Sequence, residues 1–513
     1  MTQAFAPPAS SIDSADPAAT DRLTAAVEAI LPALEEFTRF DQPERTGLTR
    51  AIWSRELGGP LPTEPAGAEA VLAQLRDVVI PHGLRAGAPG FSGWVATMPT
   101  TLPAVAQLAA ALAGPLSVGV QSFNLLEAVG LRWLGQLVGI PPSYQGVFTS
   151  AGSIANLIGL GAARQHAAEL RGVDPARDGL SGLPSPRIYA SAHVHHCAYR
   201  AAGVLGLGRR AVATVPTDAQ FRLDVAALGR QIEQDLRDGC TPVAVVATTG
   251  TVYSGAIDPL PAISALCREH GIWLHVDGAY GLFGVLDPEF APLYGDLGLA
   301  DSLVVDPHKW LATSMGCGSV FVRDGSLLGR AFTLEPALYI EQSQPEYAEG
   351  EPLTSQFDDF GYAFHHFGLE HSLPSRGVQV WAVLKEIGAA GMTERVMRHN
   401  ALARYCGELV EQSRTLRLAA PPSLSTCCFQ YIPDELRGRS DPDAVDQINQ
   451  LNRAVLGRIR ARGRCMPSAT VLGPAFAVRA CFVNPRTGRA DIEALVEDAE
   501  ASGAEVWAQL AGR

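Results

Sequence analysis

At 513 residues the chain has the length of about three ordinary domains or two large ones. Its 40 Lys and Arg against 53 Asp and Glu give a net charge of −13, a field that repels phosphodiester backbones and anionic lipid. Nucleic acid and membrane surfaces are therefore not expected partners, and with 47% apolar and 18% charged residues a disordered chain is excluded as well.

The first twenty residues hold no Lys or Arg and no apolar run, so no secretory leader is expected. Asp21 is expected to cap a helix whose Val27, Ile30, Leu31 and Leu34 share one face. From Ala86 to Leu126 no side chain is charged, but Pro89, Pro99, Pro103, Pro115 and Gln107 interrupt the stretch. It reads as backbone buried within protein or between subunits, not as a membrane span. Short β-rich runs come next, at Gly146–Thr149, Arg187–Ala190, Ala211–Val215, Val243–Thr248, Ile272–Val276, Ser302–Val305 and Gly318–Val322. Most are apolar on both faces, and helical patterns such as Ser153–Arg171 and Leu260–His270 lie between several of them. That alternation predicts a mostly parallel sheet covered on both sides. Beyond Ser375 the pattern turns helical through Val410, then gives strands at Thr426–Tyr431 and Ala477–Phe482 and a helix from Asp491. The expected organisation is an N-terminal helical segment (1–90), a large α/β domain (91–374) and a smaller C-terminal α+β domain (375–513). Nine scattered cysteines without a C-x-x-C pair read as reduced thiols, which makes the cytoplasm the expected location.

In open α/β sheets ligands sit beyond the carboxyl ends of the strands, so the residues just past each run are informative. After Val147–Phe148 come Thr149, Ser150, Ala151, Gly152 and Ser153, small residues that open a helix and can cradle a phosphate. After Arg187–Ala190 come His193, His195 and His196. The run 272–276 leads to Asp277, Gly278 and Ala279, and the run 302–305 to Asp306, Pro307, His308, Lys309 and Trp310. A phosphate cradle, an imidazole, a carboxylate and a lysine on one rim match the needs of pyridoxal phosphate. Its aldehyde takes a lysine, its ring nitrogen a carboxylate, its phosphate a cradle and its ring face a flat group. Each feature alone has a plain structural reading as a surface lysine, a turn former, a helix cap or local hydrogen bonding. Their conjunction, in order, favours the cofactor. The histidines lack a helical ligand spacing with a nearby carboxylate, so no metal is expected.

The segments His275–Tyr280 and Asp306–Leu311 resemble the two signature segments of the group II pyridoxal-phosphate decarboxylases, nearest the aromatic L-amino-acid branch. Thr149–Leu157, Ala190–Gly208 and Ala247–Pro259 fit in order, and the likeness spans roughly residues 20 to 510. It implies fold type I: a seven-stranded, mostly parallel sheet domain, a small C-terminal domain and an N-terminal segment packing across a homodimer. It puts the cofactor lysine on Lys309, the ring-nitrogen carboxylate on Asp277 and the stacking imidazole on His195, with His193 and His196 flanking. Phosphate contacts fall on Gly152, Ser153 and His308, with Asp306 where the family often has Asn. Ala279 lies beneath the ring and Thr251 comes directly after the Gly250 turn. Phe91, Trp94 and Thr97 belong to the substrate wall, Thr97 at a position that meets the substrate carboxylate.

The departures bear on the outcome. Val252 stands where a second threonine is common, and Ile154 replaces an acidic residue. Where the family carries a proton-donating loop tyrosine the chain has Leu338, with Tyr339 one place later as the catalytic candidate. Asp358, Asp359, Tyr362, His365, His366 and His371 lie further along and could substitute. The expected activity is α-decarboxylation of an L-amino acid to the amine. A second reading keeps the cofactor but ends in an aldehyde or a β-elimination product, and a third is a non-catalytic cofactor-binding protein. With Phe91, Trp94, Val95 and Met98 and no Arg or Lys between Ala88 and Pro103, the wall favours an aromatic or aliphatic side chain.

Overall fold

The structure, a computed structural model, describes residues 19–45, 50–114, 121–332, 364–370 and 373–511. The chain divides into two compact units, Met1–Ala88 and Pro89–Arg513. In the first, a helix spans Ala19–Thr38, so Asp21 lies inside its first turn rather than capping it. Of its expected apolar face, Leu31 and Leu34 are exposed and Val27 and Ile30 half-buried. A two-stranded ribbon pairs Glu44–Arg45 with Gly83–Leu84.

The second unit is built on a seven-stranded sheet. Its strands are β1 (Gln145–Thr149), β2 (Pro186–Ser191), β3 (Val212–Val215), β4 (Thr241–Thr248), β5 (Trp273–Asp277), β6 (Ser302–Val305) and β7 (Gly318–Val322). The spatial order is β1-β7-β6-β5-β4-β2-β3, parallel from β6 to β3, with β7 antiparallel to both of its neighbours. The continuous apolar runs have a direct cause. Val245, Ala247, Leu274 and Val276 enter one buried cluster, while Ala244, Val246, Trp273 and Val304 enter another, so successive residues face opposite cores.

A second, five-stranded sheet combines β8 (Leu416–Ser423), β9 (Thr426–Tyr431), β10 (Met466–Leu472) and β11 (Ala475–Cys481) in the order β8-β9-β11-β10. The short strand Phe91–Ser92 completes it by pairing parallel to β10. Helices Gly377–Gln412, Pro442–Arg462 and Arg489–Ala511 accompany this sheet, the first interrupted at Gly388 where φ is +64°. The helix of the uncharged stretch is not buried within its own chain, so of the two expected settings the one between subunits remains. In this helix, Thr101–Ala113, Leu102, Val105, Leu108 and Leu112 are exposed in the single chain, and Pro103 and Ala110 are buried. All nine cysteines are buried and unbonded to one another. Among the described residues no helix is long and apolar enough to cross a membrane.

Candidate cofactor and substrate site

Four chain crossings meet at the carboxyl edge of the seven-stranded sheet. β1 leads into the helix Gly152–Glu169, β2 into the His193–His196 turn, β5 ends on Asp277, and β6 runs directly into Asp306–Lys309. They surround a cavity of about 370 Å³, a volume suited to a small cofactor with its substrate. Nine of the expected residues line it: Gly152 and Ser153 at the helix start, His195, Asp277 with Ala279, Asp306 with His308 and Lys309, and Trp94.

Charge is concentrated on the Lys309 side. Lys309 Nζ lies 3.1 Å from Asp306 Oδ2, and the same oxygen accepts the Gly152 N–H at 3.1 Å. Asp306 Oδ1 is buried without a hydrogen-bond partner among the described residues. A Cβ on Gly152 would stand 2.5 Å from Oδ2 and one on Gly318 2.8 Å from Oδ1, so both glycines make room for this carboxylate. Burial works against the Lys309 ammonium, but Asp306 and Asp277 together outweigh it and hold the amine above its ordinary pKa. His308 Nδ1 donates to Cys317 O at 2.7 Å; burial lowers this imidazole's pKa against the pull of Asp306.

Opposite stands Asp277, 5% exposed, with Oδ1 accepting the Ala279 N–H at 3.2 Å and Oδ2 lying 4.0 Å from Cys197 Sγ. Burial, with Asp277 adding to it, pushes the Cys197 thiol well up, so the thiol keeps its proton. His195 Nδ1 accepts from Cys197 N at 3.4 Å, and burial lowers the pKa of the ring, so a neutral His195 carries its proton on Nε2. The other two imidazoles point to other work. His193 is stacked between Phe221 and Tyr253, at 5.6 and 4.7 Å, and His196 rests against His195 at 4.2 Å. Neither lines the cavity.

Three expected residues are placed elsewhere. Phe91 is 2% exposed inside the second sheet, with its ring 6.0 Å from that of Trp94. Thr97 is buried and turns its hydroxyl to Met98 O at 3.3 Å. Thr251 is fully buried, 3.2 Å from Ser254 Oγ, while its neighbours Gly250 and Val252 reach the cavity. Leu338 and Tyr339 lie outside the described residues, as do Asp358, Asp359, Tyr362 and His371. The wall segment is nonetheless tied to the lysine loop, since Thr100 N donates to Ala312 O at 3.1 Å.

Sequence reasoning missed several contributors. Asn156, one turn into the helix, lines the cavity and donates to Gly152 O at 2.8 Å; its i, i+4 spacing was the available signal. Tyr280 stacks on Trp310 with centroids 5.1 Å apart and bonds Ser425 Oγ at 2.6 Å. Arg479 of β11 is buried and donates to Trp94 O at 3.0 Å, leaving Nε and Nη2 without partners among the described residues. No local pattern marks an arginine 385 residues from the tryptophan it holds.

Residues 61–432 match the model of the pyridoxal-dependent decarboxylase conserved domain. The chain belongs to that family. This makes it a pyridoxal-phosphate-dependent lyase of the amino-acid decarboxylase group. An aromatic-L-amino-acid decarboxylase of Bacillus atrophaeus is 32% identical over 362 residues, covering 71% of this chain and 69% of that one. The cysteine sulfinic acid decarboxylase of Mus musculus is 31% identical over 386 residues, 75% of each chain. The apo crystal structure of mouse CSAD superposes with a TM-score of 0.83 at 26% identity, covering 95% of this chain and 99% of that one. Similarity to this decarboxylase family thus reaches relatives named for aromatic and for acidic substrates.

Proposed function

We propose that the protein removes the α-carboxylate of an aromatic or aliphatic L-amino acid as carbon dioxide, with pyridoxal phosphate held on Lys309. The observation that carries this reading is the single cavity on which Lys309, Asp277, His195 and the start of the Gly152–Glu169 helix converge. The residues fit the cofactor: a lysine amine, a carboxylate opposite it, and a helix start with an exposed Ser153 for a phosphate. When bound, pyridoxal phosphate supplies a protonated ring that accepts the electron pair left by the departing carboxylate.

The side chains then divide the work. Asp277 would hold the proton on the ring nitrogen, and the Ala279 amide orients its carboxylate. His195 would supply a flat group for one ring face, and Ala279, lacking bulk, would permit close approach on the other. Gly152, Ser153 and His308 would hold the phosphate end, and Asp306 keeps Lys309 oriented through its 3.1 Å contact. Trp94, Val95 and Val252 give the substrate an apolar wall. Arg479 holds this wall in place through its 3.0 Å hydrogen bond to Trp94 O. The apolar Trp94, Val95 and Val252 offer no cation to a second carboxylate on the substrate side chain.

His195→Ala is expected to lower turnover by at least about tenfold, some 1.4 kcal/mol in the barrier, and to shift the cofactor absorption band. His193→Ala should leave both close to wild type. Steady-state rates and spectra of the two variants check this, and equal losses would contradict the placement of His195.

The exposed apolar face of Thr101–Ala113 supports a homodimer, readable by light scattering. The nine unbonded cysteines suit a reducing, cytoplasmic setting.

The product depends on Leu338 and Tyr339. After carbon dioxide leaves, the α-carbon needs a proton donor within about 3 Å in a closed site. Tyr339 turned inward would give the amine; with leucine in that place dioxygen would take the electron pair and become hydrogen peroxide, and water would release the carbon as an aldehyde with loss of ammonia. A panel of aromatic, aliphatic and acidic L-amino acids, assayed together for amine, aldehyde, carbon dioxide and peroxide, tests the proposal. Aromatic substrates should release carbon dioxide and amine, and Tyr339→Phe should raise the aldehyde fraction. Turnover confined to aspartate or cysteine sulfinate would contradict the substrate class. An unchanged product ratio in Tyr339→Phe would remove Tyr339 as donor.

A further inference from the structure

The signature segment that supplies Asp277 also contains His275, two residues earlier on the same face of β5. This imidazole is fully buried, and both nitrogens are engaged. Nε2 lies 3.0 Å from Asn156 Oδ1 and Nδ1 2.7 Å from Ser302 Oγ. The series continues at each end: Trp273 Nε1 donates to Ser302 Oγ at 2.8 Å, and Asn156 Nδ2 donates to Gly152 O at 2.8 Å.

For a neutral ring, one protonation pattern satisfies every partner. Because Asn156 spends its amide N–H on Gly152 O, it presents an oxygen to His275, and that oxygen can only accept. His275 must therefore carry its proton on Nε2, which makes Nδ1 an acceptor and Ser302 the donor to it. The serine oxygen in turn receives the Trp273 N–H. Burial keeps the ring neutral, pushing the His275 pKa down to about 4. The helix has also given way to this ring. A Cβ at Gly159 would stand 2.6 Å from His275 Cε1, so a glycine sits mid-helix where alanine would favour the helix by about 1 kcal/mol.

We propose that His275 is a positioning residue that, through Asn156, fixes the start of the Gly152–Glu169 helix relative to Asp277. This rests on the cavity being the cofactor site, and goes beyond it by assigning a distance-setting role to a residue that touches neither end. Asp277 serves the ring nitrogen and the helix start serves the phosphate. The chain Trp273–Ser302–His275–Asn156–Gly152 joins the two supports, so breaking it should loosen the phosphate end and leave the ring end in place.

Pyridoxal and pyridoxal phosphate differ in that one group, and the ratio of their affinities reports it. Cofactor-free protein is titrated with each by absorbance, for wild type, His275→Phe, Asn156→Leu and the double variant. Wild type should prefer the phosphorylated form. Each single variant should lower that preference by about tenfold, with pyridoxal affinity little changed, as for one lost positioning hydrogen bond. The double variant should be no worse than the more severe single one, because both act along one chain. Asn156→Leu, at the cavity edge, carries the test if His275→Phe does not fold. Should wild type prefer the phosphorylated form and the variants keep that preference, or lose both ligands equally, His275 is not a positioning residue and the proposal fails alone. Should wild type bind both forms equally, the reading of the site fails, and the proposal with it.

Discussion

Lys309→Ala should lose essentially all turnover, at least about a thousandfold, since the group that holds the cofactor cannot be replaced by a neighbour. The sequence contains two lysines, and the second, Lys385, is an exposed residue of the Gly377–Gln412 helix whose ammonium lies 5.9 Å from the centroid of the Trp133 ring. Removing Lys309 also leaves Asp306 and Asp277 facing one another across the cavity without their shared cation. Cofactor should then wash out on gel filtration. The variant is checked by steady-state rate and by cofactor absorbance before and after desalting. Retained turnover would show that Lys309 is not the cofactor lysine.

Asp277→Asn should separate binding from chemistry. The carboxylate already accepts the Ala279 amide and is almost wholly buried, so an asparagine of the same shape fits without rearrangement. The change is one of charge. An amide cannot hold a proton on the ring nitrogen, and an ion pair shielded from water is worth several kcal/mol, part of which appears in the barrier. At about 1.4 kcal/mol per tenfold, a loss of at least about 100-fold in kcat is expected while cofactor content stays near wild type. Near-normal turnover would show that the ring nitrogen needs no carboxylate here. Loss of cofactor with loss of activity would recast Asp277 as a binding residue.

Much of this architecture was legible because parallel strands buried on both faces are written as unbroken apolar runs. All seven strands of the larger sheet were placed within two residues of their observed ends, and Ser302–Val305 and Gly318–Val322 match. The smaller sheet was less legible. Leu416–Ser423 contains Pro421 and Pro422 and lies at the sheet edge, where proline is tolerated, yet prolines read as breaks. Met466–Leu472 alternates buried and exposed residues around Pro467, and its parallel partner Phe91–Ser92 lies some 375 positions away. That pairing explains why Phe91, expected on the substrate wall, is a core residue. Asp21 lies inside the helix Ala19–Thr38 rather than before it, the ordinary imprecision of capping signals.

In the site, residues directly after strand ends were legible because the strand fixes where they emerge. Residues whose role depends on a distant partner were not. Arg479 against Trp94, Tyr280 against Ser425 and His275 against Asn156 are contacts between remote segments, and a single sequence holds no signal for them. Thr97 and Thr251 show the converse error. The family resemblance put Thr97 on the substrate wall and Thr251 at the cofactor, whereas their hydroxyls turn to Met98 O and Ser254 Oγ inside the protein.

With two lysines in the whole chain, the proposed attachment of the cofactor to Lys309 is directly testable. The holoenzyme is reduced with borohydride, digested and mapped by mass spectrometry. The account predicts that the phosphopyridoxyl mass falls on the peptide containing Asp306, His308, Lys309 and Trp310, in one copy per chain, and that Lys385 remains unmodified. Label on Lys385 with Lys309 free, or no stable label on either, would contradict it.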